Sequence, residues 1–313
     1  MSHFHPLTVK HIKKLTPTSV AVTFAIPKDL AQTFAFTAGQ YITIKKEIKG
    51  KELRRAYSIS SSPEKDGITI GIKKVDNGGF SNYANSKLQV GDTLEVMEPE
   101  GRFIFKPSKE VQKIAAFVAG SGITPIMSIV KSALDSNPKN QFVLVYGNKS
   151  YEETMFYTDL VKLELEYANR FFIYFTNSQT REDKALFGRI DTSTVNYALK
   201  NKHKNKILFE LFTSTEIKEE LPIQAEGSTA ITVVLDDEEF QFTMDKKSLV
   251  LDAVLKQNID APYSCQGGVC SSCIAKVTEG KAEMVMNQIL TDKEIADGFI
   301  LTCQAHPTTP TLK

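Results

Sequence analysis

Every cysteine of the 313-residue chain lies in a single motif. The spacing is Cys-x4-Cys-x2-Cys, followed by 29 residues and a fourth cysteine. The members are Cys265, Cys270, Cys273 and Cys303. Thiolates at this spacing hold a 2Fe-2S cluster, with three ligands on one loop and the fourth farther along the chain. Gly267 and Gly268 allow the loop to curl tightly and turn N–H groups towards the sulfurs. We therefore predict that these four cysteines ligate a 2Fe-2S cluster.

Two other uses of four cysteines fit less well. Disulfides are typical of secreted proteins, and residues 1–6 lack the apolar run of a signal peptide. Structural zinc sites usually show two Cys-x2-Cys pairs or paired histidines, whereas His306 follows the last cysteine without a second histidine beside it. We therefore expect a cytoplasmic protein in which the thiols stay reduced.

Composition excludes several classes of protein. The net charge is +1, which argues against a nucleic-acid-binding protein, and no apolar stretch is long enough to span a membrane. Residues 228–313 carry 12 acidic residues and 7 lysines, whereas the rest of the chain carries 25 acidic and 31 basic residues. This asymmetry has two open explanations: an ordinary solvated surface, or electrostatic docking between an electron donor and its acceptor.

The hydrophobic pattern divides the chain into three domains. Residues 1–106 alternate in short runs separated by Gly, Pro and Asn, which predicts an antiparallel β-barrel. Residues 107–213 alternate buried strands with helices, which predicts an α/β domain with a parallel sheet. Residues 214–227 are polar, as is typical of a linker, and residues 228–313 form an α+β domain that carries the cysteine motif.

The second domain begins with a strand that feeds a glycine-rich turn. Lys113–Ala119 is continuously apolar, as expected for a strand buried on both faces. Thr124 is then expected to cap a helix over Ile126–Leu134, with Pro125 at its first position. A second helix is expected over Tyr151–Ala168. The sequence Gly120-Ser121-Gly122 would let a cofactor pyrophosphate approach the start of the first helix.

Two short motifs in the barrel suggest a flavin. In Arg55-Ala-Tyr57-Ser58, strand alternation places Arg55 and Tyr57 on one face and Ser58 on the other. A tyrosine can stack on an isoalloxazine ring while an arginine pairs with a pyrophosphate. Farther along, Gly78-Gly79 opens a predicted helix, whose first N–H groups would suit a phosphate. Each motif alone is also compatible with an ordinary edge strand or turn.

The motifs together resemble one family. Arg55-x-Tyr57-Ser58, Gly78-Gly79-Phe80-Ser81 and Gly120-Ser-Gly-Ile-Thr-Pro125 occur in the order typical of the ferredoxin–NADP reductase superfamily. The C-terminal plant-type ferredoxin motif narrows the resemblance to reductase subunits of bacterial multicomponent oxygenases, of the phenylacetyl-CoA epoxidase type. The resemblance covers nearly the whole chain. It implies a β-grasp fold for the third domain.

The resemblance also implies roles for individual residues. It favours FAD over FMN, with the tyrosine on the flavin ring, the serine near N5, the arginine on phosphate and the glycine-rich turn on the pyrophosphate. The implied FAD-binding residues are Arg55, Tyr57, Ser58, Gly79, Phe80 and Ser81. The implied NAD(P)H-binding residues are Gly120, Gly122 and Thr124, with Thr124 near the nicotinamide. Ser178 and Arg181 are candidates for an adenosine 2′-phosphate, which would favour NADPH over NADH, although both fit an ordinary surface loop.

The chain departs from the family in one place. Family members carry a later strand that ends in Cys-Gly-Pro and is followed by a helix, and this turn lines the nicotinamide pocket. Here all four cysteines belong to the cluster motif, so no Cys-Gly-Pro exists. The segment 201–212 joins the parts on either side, and we predict that one βα unit is missing.

The sequence alone is compatible with two functions. The first is an oxidoreductase that passes electrons from NAD(P)H through FAD to a 2Fe-2S cluster and then to an acceptor protein, which the resemblance makes an oxygenase component. The second is a non-catalytic electron carrier, whose shortened nicotinamide domain no longer supports hydride transfer. No side-chain acid or base is required in the first case, because the cofactors carry the chemistry.

Overall fold

A computed structural model describes residues 3–183, 185–200, 206–208, 227–263 and 265–313. The chain forms two compact units. The first unit contains the two N-terminal domains apart from His3 and Arg54–Ala56, and the second contains the C-terminal domain together with those residues. In the described ranges, none of the helices combines the length and apolar character that crossing a membrane requires.

The N-terminal domain is an antiparallel barrel, as predicted. Its described strands are β1 (Phe4–Thr16), β2 (Ser19–Phe24), β3 (Tyr41–Ile48), β4 (Lys51–Ser58), β5 (Ile68–Lys73) and β6 (Thr93–Met97), with helix α1 (Gly79–Ser86) before β6. The strands are ordered β4-β3-β6-β1-β2-β5. A bridge between Ile59 and Ile70 ties the continuation of β4 to β5, so the two edge strands meet and the sheet closes. Alternate residues fill one apolar core inside it.

The second domain has the parallel sheet that the strand–helix alternation predicts. Its described strands are β7 (Lys113–Ala119), β8 (Gln141–Asn148), β9 (Phe171–Asn177), β10 (Leu186–Phe187) and β11 (Lys206–Leu208). The helices are α2 (Ile123–Ser136), α3 (Tyr157–Glu166) and α4 (Thr192–Lys200). The order is β10-β9-β8-β7-β11, and neighbouring strands are parallel.

Helices cover both faces of this sheet. Ile114, Ala116 and Val118 of β7 pack in one core with α2 and α3. Ala115 and Phe117, on the opposite face, pack in a second core that includes Ala198 of α4. Because both faces of β7 are buried, its sequence is apolar from Ile114 onwards, and the predicted bounds of this strand are those observed.

The strand β11 lies directly beside β7. Lys206 pairs with Ile114 and Leu208 pairs with Ala116, so α4 is followed in the chain by a strand at this edge of the sheet. The rest of the segment 201–212, where the deletion is predicted, lies outside the described residues. The expected linker also lies outside them, except for Gly227.

The C-terminal domain has the α+β composition expected of the cluster-bearing part. Its strands are β12 (Ser228–Leu235), β13 (Glu238–Asp245), β14 (Ile274–Lys276), β15 (Gly280–Met284), β16 (Phe299–Leu301) and β17 (Ala305–Leu312), with helices α5 (Val250–Lys256) and α6 (Asp292–Ala296). One sheet has the order β13-β12-β17-β15, and β14 pairs with β16. The β12–β13 turn has left-handed φ values at Asp236 and Asp237, as a tight two-residue hairpin requires.

The start of α2 differs from the expectation. Thr124 does not cap the helix, because the chain already winds into a 3-10 turn over Gly120–Gly122 and α2 begins at Ile123. The Thr124 hydroxyl instead donates to the Ser121 carbonyl at 3.0 Å. Pro125 therefore lies at the third helical position, where its missing N–H still costs no intrahelical hydrogen bond.

The expected start of α3 was also wrong. The helix begins at Tyr157 rather than at Tyr151. Phe156 immediately before it has φ 58°, a left-handed conformation that a continuous right-handed helix cannot contain. The acidic residues before Phe156 therefore belong to a loop, although their composition suits the first turn of a helix.

Candidate functional site

The candidate flavin strand lies at one edge of the barrel sheet. Tyr57 and Ser58 end β4, where Tyr57 is half-buried and Ser58 is 8 % exposed. The Tyr57 ring lies 5.7 Å from the Phe80 ring, tilted by 45°. The Arg55 guanidinium donates to the Arg54 carbonyl at 2.7 Å. The structure thus brings Tyr57 against Phe80, so the strand motif and the glycine-rich turn belong to one place in the barrel.

The glycine-rich turn leads into α1, as the sequence predicts. A Cβ on Gly78 would lie 2.4 Å from the Ser81 hydroxyl oxygen, and a Cβ on Gly79 would lie 2.6 Å from Leu53 Cδ1. The Ser81 oxygen accepts a hydrogen bond from the Val75 N–H at 3.2 Å and keeps its own proton for another acceptor. No side chain caps α1. Its first N–H groups are therefore suited to an anion.

The candidate nicotinamide turn joins β7 to α2. Gly120 has φ 54°, which only glycine adopts readily, and a Cβ there would meet nothing within 4 Å. Its carbonyl accepts a hydrogen bond from the Tyr146 hydroxyl at 2.9 Å. Tyr146 is fully buried, and burial raises its pKa well above the ordinary value. The neutral Tyr146 hydroxyl therefore holds the Gly120 carbonyl in place. The space around the Gly120 Cα stays open to a ligand.

The loop after β9 contains the two residues expected at a 2′-phosphate. Arg181 lies over the Phe187 ring at 4.5 Å and lines a cavity of about 470 Å³. Ser178 is engaged elsewhere, since its N–H and hydroxyl donate to the Asn148 carbonyl at 2.9 and 3.3 Å. The structure therefore places Arg181 in a cavity, whereas Ser178 faces the main chain of the neighbouring strand.

Sequence reasoning missed several residues of this cavity. The Tyr157 ring lies 4.5 Å from Tyr151 and 5.0 Å from Phe175, which gives the cavity an aromatic wall. Glu182 and Asp183 line the cavity beside Arg181. The sequence could have indicated these residues, because they lie at or after the carboxyl ends of predicted parallel strands. Ligands of parallel sheets bind at these ends. The two carboxylates counteract the attraction of Arg181 for a phosphate.

The four cysteines converge at the candidate cluster site. Cys270, Cys273 and Cys303 are at most 5 % exposed, and Cys265 is half-buried. The sulfurs of Cys273 and Cys303 lie 3.2 Å apart although 29 residues separate them in the chain. All four thiols are free of disulfide bonds.

The loop around the cysteines is built for close approach to sulfur. Gln266 and Gly268 have left-handed φ values of 53° and 71°, and a Cβ on Gly268 would lie 2.9 Å from the Met286 carbonyl oxygen. The Gly267 N–H donates to the Cys265 sulfur at 3.3 Å. The curl and the N–H direction expected from the two glycines are thus both present.

The electrostatics of the site lower the pKa of Cys265 and Cys273, which favours thiolate at these two sulfurs. Hydrogen bonds from the Cys270 and Cys303 thiols, aided by backbone N–H groups, lower the pKa of Cys265 to about 2. The same contacts, together with burial, raise the pKa of Cys270 and Cys303. No three His, Cys, Asp or Glu side chains in the described part of the chain are arranged to hold a single metal ion. An all-sulfur set of four ligands that includes a stabilised thiolate fits a two-iron cluster.

Three family models match consecutive parts of the chain. An oxidoreductase FAD-binding domain matches residues 6–105, an oxidoreductase NAD-binding domain matches residues 117–209, and a 2Fe-2S iron–sulfur cluster binding domain matches residues 233–308. The chain is therefore an NAD(P)H-dependent electron-transfer oxidoreductase with FAD and a 2Fe-2S cluster.

Relatives that match over nearly their full length show which family of these oxidoreductases the chain belongs to. The chain is 36% identical to a subunit of 1,2-phenylacetyl-CoA epoxidase from Escherichia coli (strain K12), covering 99% of this chain and 96% of the relative. It is 31% identical to the ferredoxin reductase component of 3-ketosteroid-9-alpha-monooxygenase from Rhodococcus rhodochrous, covering 98% and 95%. The chain belongs to the family of reductase components of multicomponent oxygenases, in which electrons pass from NAD(P)H through FAD to the 2Fe-2S cluster.

Solved structures share the fold. Phthalate dioxygenase reductase matches with a TM-score of 0.59 and 20% identity, covering 99% of this chain and 97% of that chain. An intact type IV self-sufficient cytochrome P450 monooxygenase matches with a TM-score of 0.68 and 20% identity, covering 99% of this chain and 40% of that one. The match to phthalate dioxygenase reductase extends over all three domains.

The relatives are longer than this chain. The alignment with the epoxidase subunit spans 345 positions, and the chain has 313 residues, so at least 32 positions (345 − 313) have no counterpart here. In the alignment with the ketosteroid reductase component, at least 24 positions (337 − 313) have no counterpart in this chain. A gap of this size is about one βα unit, which is the length of the predicted deletion. Its place near residues 201–212 stays a prediction.

Proposed function

We propose that the acceptor is the oxygenase component of a system that acts on phenylacetyl-CoA. The supporting observation is the 36% identity to the epoxidase subunit across nearly the full length of both chains. In the presence of O₂, a mixture of this protein, the epoxidase oxygenase subunits, NADPH and phenylacetyl-CoA should consume NADPH and give an oxygenated thioester in equal amounts, with the second oxygen atom released as water. Transfer to a ketosteroid oxygenase component at the same rate, with none to the epoxidase, would contradict the assignment.

The FAD site in this proposal is formed by the barrel motifs. Tyr57 provides a stacking face, Ser58 lies near flavin N5 and Arg55 pairs with phosphate. The first turn of α1 holds the pyrophosphate through Gly79, Phe80 and Ser81. Two observations support this FAD site. The Tyr57 and Phe80 rings lie 5.7 Å apart, and no side chain caps the start of α1. When bound, the flavin accepts two electrons together and releases them one at a time.

The NAD(P)H site in this proposal is formed at the carboxyl ends of the parallel strands. Gly120 and Gly122 admit the pyrophosphate to the start of α2, and Thr124 lies near the nicotinamide. Arg181 and Ser178 contact the adenosine part. Ser178 contributes less than Arg181, because its hydroxyl already donates to the Asn148 carbonyl. The open space at Gly120 and the cavity beside Arg181 support the assignment.

The cluster site in this proposal uses all four cysteines. Cys265, Cys270 and Cys273 come from the loop before β14, and Cys303 follows β16. We assign the protein to the cytoplasm, where thiols stay reduced, and keep the domain bounds at 1–106, 107–213 and 228–313. The acidic composition of residues 228–313 supports docking to a basic surface on the acceptor.

One experiment separates the two functions left by the sequence. Under anaerobic conditions, NADPH or NADH should bleach the flavin absorption and then the cluster absorption of the purified protein. Dithionite supplies the reference for complete reduction. Bleaching by dithionite alone would establish the non-catalytic carrier and refute the reductase.

A further inference from the structure

The barrel and the parallel sheet share an apolar core. Ala21 on β2, inside the first domain, packs in the same cluster as β7, α2 and α3 of the second domain. Ala21 pairs across the sheet with Gly71 on β5, so two small residues lie side by side on this face of the barrel. At these two positions the barrel side of the contact therefore has very little side-chain bulk, whereas Leu15 and Phe105 fill other parts of the same core.

Gly71 allows the closest part of this contact. A Cβ at this position would lie 2.7 Å from Thr124 Cγ2 and 3.0 Å from both Met155 Cε and Phe156 Cε2. These three side chains are at most 6 % exposed and have little room to withdraw. Thr124 is also held by its hydrogen bond to Ser121, so rotating its methyl group away would break that bond.

The backbone does not explain this glycine. Gly71 is outside the left-handed region and lies in the middle of a regular antiparallel pairing, where other residues are compatible with the chain. Glycine in the interior of a strand weakens the strand and often marks a close approach by another part of the protein. At Gly71, the nearest approaching group is Thr124 at the start of α2, with Met155 and Phe156 slightly farther away.

Gly71 also connects the two cofactor motifs. On the barrel side, Ile59 directly follows Ser58 and bridges to Ile70, and the Ser60 N–H donates to the Thr69 carbonyl at 2.7 Å. On the other side, Thr124 is bonded to the Gly120–Gly122 turn. A continuous series of described contacts from the flavin strand to the nicotinamide turn thus passes through Gly71 and Thr124.

We propose that Gly71 is a positioning residue that sets the separation between the bound flavin and the bound nicotinamide. The inference rests on the proposed roles of Ser58 and of the Gly120–Gly122 turn. Nonbonded carbon atoms prefer about 3.5–4.0 Å, so an added methyl group must push Thr124 away by about 1 Å. Reacting groups are aligned at about 3–3.5 Å, and a displacement of 1 Å can cost a factor of about 100 in rate.

The test compares full-length, cofactor-loaded protein with its Gly71→Ala variant. The rate of flavin bleaching after anaerobic mixing with saturating NADPH should fall about 10- to 100-fold. FAD content and the Kd for NADP⁺ should change less than about threefold, because the pyrophosphate contacts remain. The long-wavelength absorption band that reports stacking of nicotinamide on flavin should weaken. An equal bleaching rate in the two proteins would overturn the proposal.

A second variant distinguishes spacing from general damage. Thr124→Ser removes the methyl group that meets the new Cβ and keeps the hydroxyl that bonds Ser121. Adding it to Gly71→Ala should recover most of the rate relative to Thr124→Ser alone. Failure to recover, with normal flavin content and thermal stability, would contradict a spacer role.

Crystal structures make the test independent of turnover. The distance between the Ser58 and Thr124 Cα atoms should lengthen in Gly71→Ala and return in the double variant, whether or not NADPH reduces the protein. An unchanged distance would refute the inference. If wild-type flavin resists NADPH while this distance responds as expected, the proposed function fails and the spacer role stands.

Discussion

The cluster loop and the nicotinamide turn specify their sites in different ways. The cluster site depends on four cysteines, three of which lie within nine residues, and left-handed backbone at Gln266 and Gly268 shapes the loop around them. The proposed NAD(P)H site combines a turn after β7, an aromatic wall from two separate segments and a loop after β9. Residue type therefore defines the first site, whereas the arrangement of strands defines the second.

This difference affects how each site tolerates change. A thiolate ligand has no substitute within the loop, so loss of one cysteine removes the site. The proposed NAD(P)H site is distributed over several segments, so loss of one residue should weaken nucleotide binding only in part. Relative to the epoxidase subunit, at least 32 positions (345 − 313) are missing, and if they lie near residues 201–212 as predicted, they test the limit of that tolerance.

The largest effect is expected for Cys270→Ser. Removing one buried thiol should abolish the cluster absorption and its electron paramagnetic resonance signal, and should lower reduction of the acceptor at least 100-fold. FAD should remain bound at the wild-type level, because Tyr57, Ser58 and the glycine-rich turn lie in the other compact unit, and of the proposed FAD-binding residues only Arg55 groups with the cluster-bearing unit. Flavin and iron contents of the purified variant provide the measurement. Loss of flavin together with the cluster would contradict the independence of the two sites.

The next effect concerns the predicted deletion. Insertion of a strand–Cys-Gly-Pro–helix unit between Lys204 and Lys206, where Lys204 and Asn205 lie outside the described residues, should accelerate flavin bleaching by NADPH about 10-fold or more. The unit would line the nicotinamide pocket and extend the sheet beyond the short β11 pairing. An insertion of equal length made of Gly and Ser is the matched control. Wild-type reduction already at several hundred per second, within the usual range for enzymes of ~1–1000 per second, would show that the pocket is complete without it.

Tyr57→Ala should have an intermediate effect. Removing the ring takes away the proposed stacking face and the contact with Phe80, so the Kd for FAD should rise about 10-fold, since aromatic contacts contribute about 0.5–1.5 kcal/mol beyond the buried area. Tyr57→Phe is the matched control and should stay within about threefold of wild type. Fluorescence of released FAD gives the measurement. Equal flavin occupancy in Tyr57→Ala and wild type would exclude the stacking role.

Where the sequence predicted well, one local interaction dominated. Lys113–Ala119 is buried on both faces, so its apolar run has sharp bounds. The start of α1 follows from two glycines that leave no room for a Cβ. The cysteine spacing likewise identified four thiols that converge.

Where it failed, tertiary contacts overrode local preference. Thr124 is a good capping residue, but its hydroxyl bonds Ser121 within a turn that glycine makes possible. The loop before α3 has the acidic composition of a helix start, yet Phe156 is left-handed and buried against the barrel face at Gly71. The cavity wall at Tyr157 depends on packing between segments, for which one sequence offers no direct signal.

The smallest effect is expected for Arg181→Ala. Arg181 lines the nicotinamide-side cavity, and loss of its charge should raise the KM for NADPH about 3- to 10-fold while leaving the KM for NADH within about twofold, because only NADPH carries the 2′-phosphate. Glu182 and Asp183 keep this effect small, since their carboxylates already reduce the positive potential beside Arg181. Arg189→Ala, which replaces an arginine that does not line the cavity, is the matched control and should alter neither KM. Steady-state kinetics with both nucleotides decide the matter. A parallel rise in both KM values would mean that Arg181 shapes the cavity rather than recognising the phosphate, and an unchanged KM for NADPH would leave the loop after β9 without a role in nucleotide selection.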